Sequence, residues 1–426
     1  MSKVLVLSSN KTPLMPCHSA RARELLKNKK AAVYRRFPFT IILLEREVGE
    51  VQSIELRFDP GSKVTGIAIV GEFERGNETL WAANLEHRGN AIKEALDKRR
   101  AVRRGRRNRK TRYRPARWAN RANAKVDGRL MPSLLSRVYN IKTWTTRLSK
   151  YAPISSIAVE TVRFDTQLMM NPEISGVEYQ QGELTGYEVR EYLLEKFERQ
   201  CVYCGAKDVP LQIEHIVPKS KGGTNRVSNL TLACQPCNQK KGNNSLELFL
   251  AKKPDVVRKI KGQLKATFKD AAAVNVTRFR VGNELKAFGL PVTFWSGGRT
   301  KFNRTQQGYV KDHWIDAACV GVGGAATVIK GVKPLLIKAT GRGNRQMCRM
   351  DKYGFPRTSA KTRQKRVFGF ATGDIVQAII PKGKYQGTVT GRISIRVTGQ
   401  FNIGKEGKVN HKYCNLIQRC DGYSYN

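Results

Sequence analysis

Apolar residues along this chain recur in short runs and alternations that predict strands separated by a few amphipathic helices. Val4–Leu7 is an apolar strand, residues 19–29 a helix bearing Arg21, Arg23, Lys27 and Lys29, and residues 39–44 a further strand. From residue 54 the pattern alternates: Ile54, Leu56 and Phe58 share one face, Pro60-Gly61 breaks the run, and an apolar stretch returns at 65–70. That is a β-hairpin with Asp59 at its turn. Leu134, Leu135, Val138, Ile141, Trp144 and Leu148 recur at helical spacing and read as core. Residues 155–160 form an apolar strand that ends in Glu160; helices follow around 256–268 and 274–288, then a strand at Val292–Trp295 and a helix opening at Asp312. Residues 373–380, 387–397 and 401–403, set between glycines, read as short twisted strands of a small β-barrel.

Length and charge narrow the class. A chain of 426 residues with 40% hydrophobic residues holds about three domains and an ample core. The 78 Lys+Arg against 34 Asp+Glu leave a net charge of +44, far beyond what solubility requires, so a polyanion is expected and nucleic acid leads. Nine cysteines, four of them in paired knuckles, fit a reducing cytoplasm better than a disulfide scaffold. Val4–Leu7 is too short for the apolar core of a signal peptide, and the apolar run at 317–329 is too short to span a bilayer.

The densest chemistry lies at 201–242. Cys201/Cys204 and Cys234/Cys237 are Cys-x2-Cys knuckles with 29 residues between them, and four thiolates close a tetrahedral zinc shell. No position stays open, so that zinc is structural. Between and after the knuckles stand Glu214-His215, Ser228-Asn229 and Asn238. Phosphodiester hydrolysis needs a base for the attacking water and a divalent cation against the phosphate charge, and this cluster offers both. A plain zinc ribbon that only binds nucleic acid has no need of the Glu-His pair, the Gly222-Gly223 loop and the Cys-Asn-x-x-Lys-Gly ending. The stretch resembles the HNH endonuclease motif, a ββα-metal fold. By that resemblance His215 is the general base, Asn229 fixes the catalytic loop, and Glu214 and Asn238 hold one Mg²⁺. One departure is Glu at 214, where many relatives have Asp.

A second site is spread over three segments. Asp59 follows an alternating strand, Glu160 ends an apolar one, and His313 and Asp316 share a helix face at i and i+3. The three carboxylates are candidates to gather around two Mg²⁺ ions. Their order resembles the split RuvC nuclease of the RNase H-like fold, which implies catalytic roles for Asp59, Glu160, His313 and Asp316. Between the first two segments, residues 98–121 carry 13 basic residues and no acid. Such a helix repels itself unless phosphates lie against it, and arginine favours forked contacts. Arg99, Arg100, Arg103, Arg104, Arg106, Arg107, Arg109 and Arg112 are the candidate nucleic-acid contacts, and the Arg-Arg-x-Arg-Arg core at 103–107 resembles the bridge helix of RNA-guided nucleases.

With Pro13-Leu-Met-Pro16 added, nearly the whole chain resembles the IscB family of transposon-encoded RNA-guided DNA endonucleases. The fold class implied is α/β: a split RNase H-like domain (53–90, 127–187, 251–330), a bridge helix (91–126), an inserted HNH module (188–250), an N-terminal α+β module (1–52) and a basic β-rich C-terminal domain (331–426). Implied partners are a guide RNA (ωRNA) and double-stranded target DNA with a short adjacent motif, bound by a monomeric protein; implied cofactors are Mg²⁺ and structural Zn²⁺. HNH would cut the guide-paired strand and RuvC the displaced one. Two alternatives stay open on the sequence: a protein-guided HNH/RuvC nuclease resembling homing endonucleases or resolvases, and a non-enzymatic transposon RNA-binding protein.

Overall fold

The computed structural model describes residues 3–425, apart from 109–129, 162–186, 224–226, 252, 265–268, 342–347, 350, 352–354, 360–363, 383–385 and 405–406. The described chain divides into a larger unit, residues 1–160 with 279–426, and a smaller one, 161–278.

The larger unit is built on the alternation at residue 54. Strand β5 (Ile54–Pro60) runs antiparallel to β6 (Val64–Phe73), which runs antiparallel to β7 (Gly76–Glu86). Ile54, Leu56 and Phe58, with Ile67 and Ile69, are fully buried in one core with Val138, Ile141, Trp144 and Leu148 of helix α3 (Pro132–Leu148). The opposite face packs Ala68 and Val70 against Ala317 and Ala318 of helix α10 (His313–Ala318). Asp59 pairs with Gly66 inside the ladder, so it ends a strand where the sequence had placed it in the turn. Parallel strands β8 (Ser156–Glu160) and β11 (Val292–Trp295) extend the sheet on one side. On the other, β13 (Leu335–Ala339) and β21 (Tyr423–Tyr425) join it, giving the order β11-β8-β5-β6-β7-β13-β21, with β12 (Thr327–Val328) also beside β7. The last two strands lie past residue 330, where sequence alone had ended this domain. They are only five and three residues long, too short for periodicity to detect.

Arg57 shows how the second face is held. It is fully buried, its Nε lies 2.7 Å from Glu55, and its guanidinium donates over 2.7 Å to the carbonyl of Ala318, the last residue of α10. A cation at a helix C-terminus satisfies a free carbonyl and meets the negative end of the helix dipole. Gly66 allows the helix to approach: a Cβ there would stand 1.8 Å from the carbonyl oxygen of His313.

Four strands ordered β2-β1-β4-β3 (Pro13–Cys17, Val4–Leu7, Thr40–Leu43, Ala31–Arg35) and helix α1 (Ser19–Lys27) form the N-terminal module. Asp421 ties it to α3 and the C-terminal segment by accepting from Arg35 and Arg147, each at 3.0 Å. Helix α2 (Gly89–Arg107) packs against α3 and exposes Arg99, Arg100, Arg103 and Arg104. Arg109 and Arg112 lie outside the described residues. The C-terminal region holds the hairpin β14-β15 (Arg366–Val367, Phe370–Ala371) and a five-stranded sheet, β19-β18-β17-β16-β20 (Gly407–Asn410, Gln400–Ile403, Gly387–Ser394, Ile375–Ile380, Cys414–Gln418).

The smaller unit has its own core, with Leu193, Phe197, Leu211, Leu230, Leu232, Leu246 and Ile260 buried together. Strands β9 (Leu211–His215) and β10 (Leu230–Cys234) pair antiparallel with His215 opposite Leu230, and helix α5 (Gln235–Lys241) follows directly. Helices α4 (Tyr187–Lys196), α6 (Leu246–Phe249) and α7 (Pro254–Leu264) belong to this unit, and α8 (Lys269–Lys286) leads out of it to Val281 and Leu285 of the larger core. Helix α9 (Gly297–Gln306) precedes α10. Among the described residues no helix is long and apolar enough to cross a membrane.

Candidate active sites and metal centre

In the larger unit the three distant carboxylates converge at one end of the sheet. Val159 registers beside Phe58, which brings the following residues, Glu160 and Asp59, to neighbouring strand ends. Helix α10 then lays His313 across Asp59, with Nδ1 3.1 Å from Oδ2. Glu160 is buried, and its carboxyl is held well above the ordinary range by that burial and by the charges of Asp59 and Asp316; a hydrogen bond from Thr300 opposes the rise. Asp316 is buried too, with Arg304 Nε 2.7 Å from its Oδ1 and Lys311 Nζ 4.0 Å from Oδ2. A buried glutamic acid that resists ionisation beside two further carboxylates is a fitting environment for divalent metal. Thr300, Arg304 and Lys311 had no motif to betray them: the first two reach the site because α9 packs beside α10, and Lys311 lies two residues before α10.

His87 sits behind this site. Its Nε2 is 2.7 Å from Thr65 Oγ1, its Nδ1 is 3.0 Å from Asn140 Nδ2, and Asn140 in turn accepts from Tyr423 over 3.0 Å. Desolvation, then the nearby charges of Arg137 and His313, bring its pKa down to about 3, so the ring is neutral.

In the smaller unit the four knuckle cysteines place their sulfurs within 4.8 Å of one another, the one such group among the described residues. Cys204 and Cys234 are 3.7 Å apart. A zinc ion with four Zn–S bonds of about 2.3 Å requires sulfurs about 3.8 Å apart, so the donor set fits Zn²⁺. Burial raises the Cys201 thiol, but backbone N–H groups of Cys234, Cys204 and Tyr203 bring it down to about 7. Cys237 is pushed up by burial and by its neighbouring thiols, as expected of thiols lacking the cation that lets them all ionise.

The remaining residues of the motif divide into three settings. Asn229 makes a two-way clasp on the loop after His215: Val217 N–H donates to its Oδ1 at 2.9 Å and its Nδ2 donates to the Val217 carbonyl at 3.0 Å. His215 ends β9, half-buried. Glu214 is buried on the side facing α5, where Tyr203 donates to Oε2 and Lys241 donates to Oε1 at 2.5 Å, while Asn238 donates to Gln212 at 2.8 Å. Glu214 and Asn238 thus have separate partners here, and each carboxylate oxygen of Glu214 keeps only part of its lone-pair capacity for a metal. Lys241 is the reason: it lies one helical turn beyond Asn238 and reaches the carboxylate first.

Residues 4–182 match the family described as RRXRR protein, and residues 201–244 match the HNH endonuclease family. No curated protein matches. Among solved structures, the type II-C Cas9 of Actinomyces naeslundii is similar at 20% identity over 46% of this chain and 30% of that one, with a TM-score of 0.17. A Streptococcus thermophilus Cas9 in complex with the GGAA PAM is similar at 14% identity over 62% of this chain and 32% of that one, with a TM-score of 0.22. The chain spans about a third of the length of these structures. It is a mixed α/β protein that carries the HNH domain of a metal-dependent endonuclease. More particularly, it joins that domain to a segment that matches the RRXRR family.

Proposed function

We propose that this protein is an RNA-guided endonuclease that cuts both strands of double-stranded DNA. The observation that carries the reading is the convergence of Asp59, Glu160 and Asp316 in a unit separate from the one that holds His215 and Asn229. Two sites suit two strands. On this reading His215 cleaves the guide-paired strand and the carboxylate site the displaced strand, while the exposed arginines of α2 hold guide RNA through its backbone.

Asp59, Glu160 and Asp316 would hold Mg²⁺ at one site, and Glu214 and Asn238 at the other. When bound, the metal offsets charge on the scissile phosphate. In the smaller unit His215 takes the proton of the attacking water, and Asn229 holds the loop so that the imidazole stays at the strand end. In the larger unit His313, placed on Asp59, moves the proton of its own water. Arg304 and Lys311 hold Asp316 in place through the reaction.

The test is to purify the protein from its own locus, identify any RNA that accompanies it, and give the complex DNA labelled separately on each strand with Mg²⁺. Guide-dependent cuts on both strands support the proposal. Cutting by RNA-free protein would support a protein-guided nuclease, and no Mg²⁺-dependent cutting would leave an RNA-binding protein.

A further inference from the structure

Both zinc knuckles are connected to the backbone of His215 through a buried chain of side chains. Tyr203, inside the first knuckle, is buried and packs edge-on against Phe249, with ring centroids 5.1 Å apart. Its hydroxyl donates to Glu214. The other carboxylate oxygen accepts from Lys241 at 2.5 Å, and the same ammonium donates to the carbonyl of His215 at 2.8 Å. Lys241 is fully buried. It ends α5, a helix capped at its start by Cys234 and containing Cys237, so the second knuckle sets where the ammonium sits.

A buried ion pair is a poor way to gain stability, because desolvating both charges offsets most of their attraction. What such a pair does provide is direction: each ammonium hydrogen and carboxylate oxygen has one geometry that satisfies it. Here two of the ammonium's donors are directed at the residue before His215 and at His215 itself.

We propose that Tyr203, Glu214 and Lys241 form a positioning relay through which the folded zinc site sets the placement of His215. Tyr203 and Lys241 are positioning residues: neither is assigned to substrate or metal. The relay rests on the reading of His215 as the base of the HNH site. With zinc bound, the first knuckle presents the hydroxyl and the second presents the ammonium; Glu214 joins them. With zinc lost, both ends of the relay move, and His215 is displaced with them.

The test uses the complete ribonucleoprotein and the variants Tyr203→Phe, Lys241→Met and their double. Tyr203→Phe retains the ring against Phe249 and removes only the hydroxyl; Lys241→Met retains the stem. Each protein is assayed for zinc content, for DNA affinity, for single-turnover cleavage of each strand at saturating complex, and for hydrogen exchange in the segment from 211 to 218. The expected result is unchanged zinc and DNA affinity, a loss of about ten- to a hundredfold in the His215-dependent cut, the usual size for a residue that orients a catalytic group, with the other strand's cut unchanged. Exchange in the segment should rise, and the double variant should fall no further than the worse single one. Cleavage within about twofold of wild type together with unchanged exchange in Tyr203→Phe overturns the relay, and so does a double variant that simply multiplies the two losses. Should Lys241→Met lose zinc, Tyr203→Phe alone decides. His215→Ala run in parallel separates the two claims: if wild type makes no His215-dependent cut, the HNH reading itself fails, whatever the variants do.

Discussion

Nδ1 of His313 lies 3.1 Å from Oδ2 of Asp59, two residues 254 positions apart that meet where α10 crosses the end of β5. The contact defines which ring nitrogen faces the carboxylate. His313→Asn should reduce cutting of the displaced strand roughly 10²–10⁴-fold, the range for a lost general acid or base, while the guide-paired strand is still cut. Asp59→Asn should abolish the same cut, and His215→Ala the opposite one. Strand-resolved nicking assays distinguish the three; a His313→Asn enzyme that cuts both strands normally would remove the histidine from the mechanism.

The carboxylate cluster predicts a metal-linked stability. Because Glu160 is kept from ionising by burial and by Asp59 and Asp316, Mg²⁺ should bind the folded state and raise its melting temperature. At a hundredfold excess over its dissociation constant one ion adds about 2.7 kcal/mol. Differential scanning fluorimetry with and without EDTA measures this, and the Asp59→Asn/Glu160→Gln double variant should show a much smaller shift.

Gly66 is predicted to be intolerant of even one methyl group. Ala at this position would place its Cβ 1.8 Å from the His313 carbonyl, so α10 must retreat. We expect a stability loss of about 1–3 kcal/mol by denaturant titration. Cutting at the carboxylate site should fall further than that loss explains, since the same retreat separates His313 from Asp59. Normal stability and activity in Gly66→Ala would contradict the packing described.

Zinc removal should be selective in its effect. Cys204→Ser is expected to lower zinc content, measured by metal analysis, and to unfold the core that includes Leu211 and Leu232, since a structural zinc site supplies folding free energy directly. The melting transition of the larger unit should persist.

His87 carries a prediction about acid. Unfolded, it takes up a proton near its ordinary 6.5; folded, burial and the charges of Arg137 and His313 delay that to about 3. Between those values the unfolded state binds more protons, so this contribution is complete above 6.5 and is lost as pH falls toward 3. His87 is only partly buried, which places the slope below the one-proton ceiling of about 1.4 kcal/mol per pH unit. Urea midpoints of wild type and His87→Gln between about pH 7 and pH 4.5 should diverge, with wild type the steeper; parallel lines would refute the assignment.

Much of this was legible in the sequence, and the boundary is physical. Ile54, Leu56 and Phe58 announced a strand because alternation needs no partner to be seen, and α3 announced itself by the spacing of Val138, Ile141, Trp144 and Leu148. The knuckles were readable because four cysteines at those intervals have few other uses. Arg57 and Lys241 were not: nothing beside them in the chain marks them as enclosed, and each is fully buried where it meets a carboxylate and a backbone carbonyl. His87 was silent for a similar reason, its surroundings being assembled from Thr65 and Asn140, with Tyr423 beyond. Glu214 was read from its motif as a metal ligand, but the interior place it shares with Tyr203 and Lys241 depends on helix geometry that spacing does not reveal.

The insertion of residues 161–278 between β8 and the return to the sheet imposes an order on synthesis. A ribosome delivers Asp59 and Glu160 first, then a module with an interior of its own, and only afterwards the helix that brings Asp316. Until that helix emerges, a growing chain has an incomplete acidic set. On the proposed reading, the larger site is therefore inactive until residue 316 has been made.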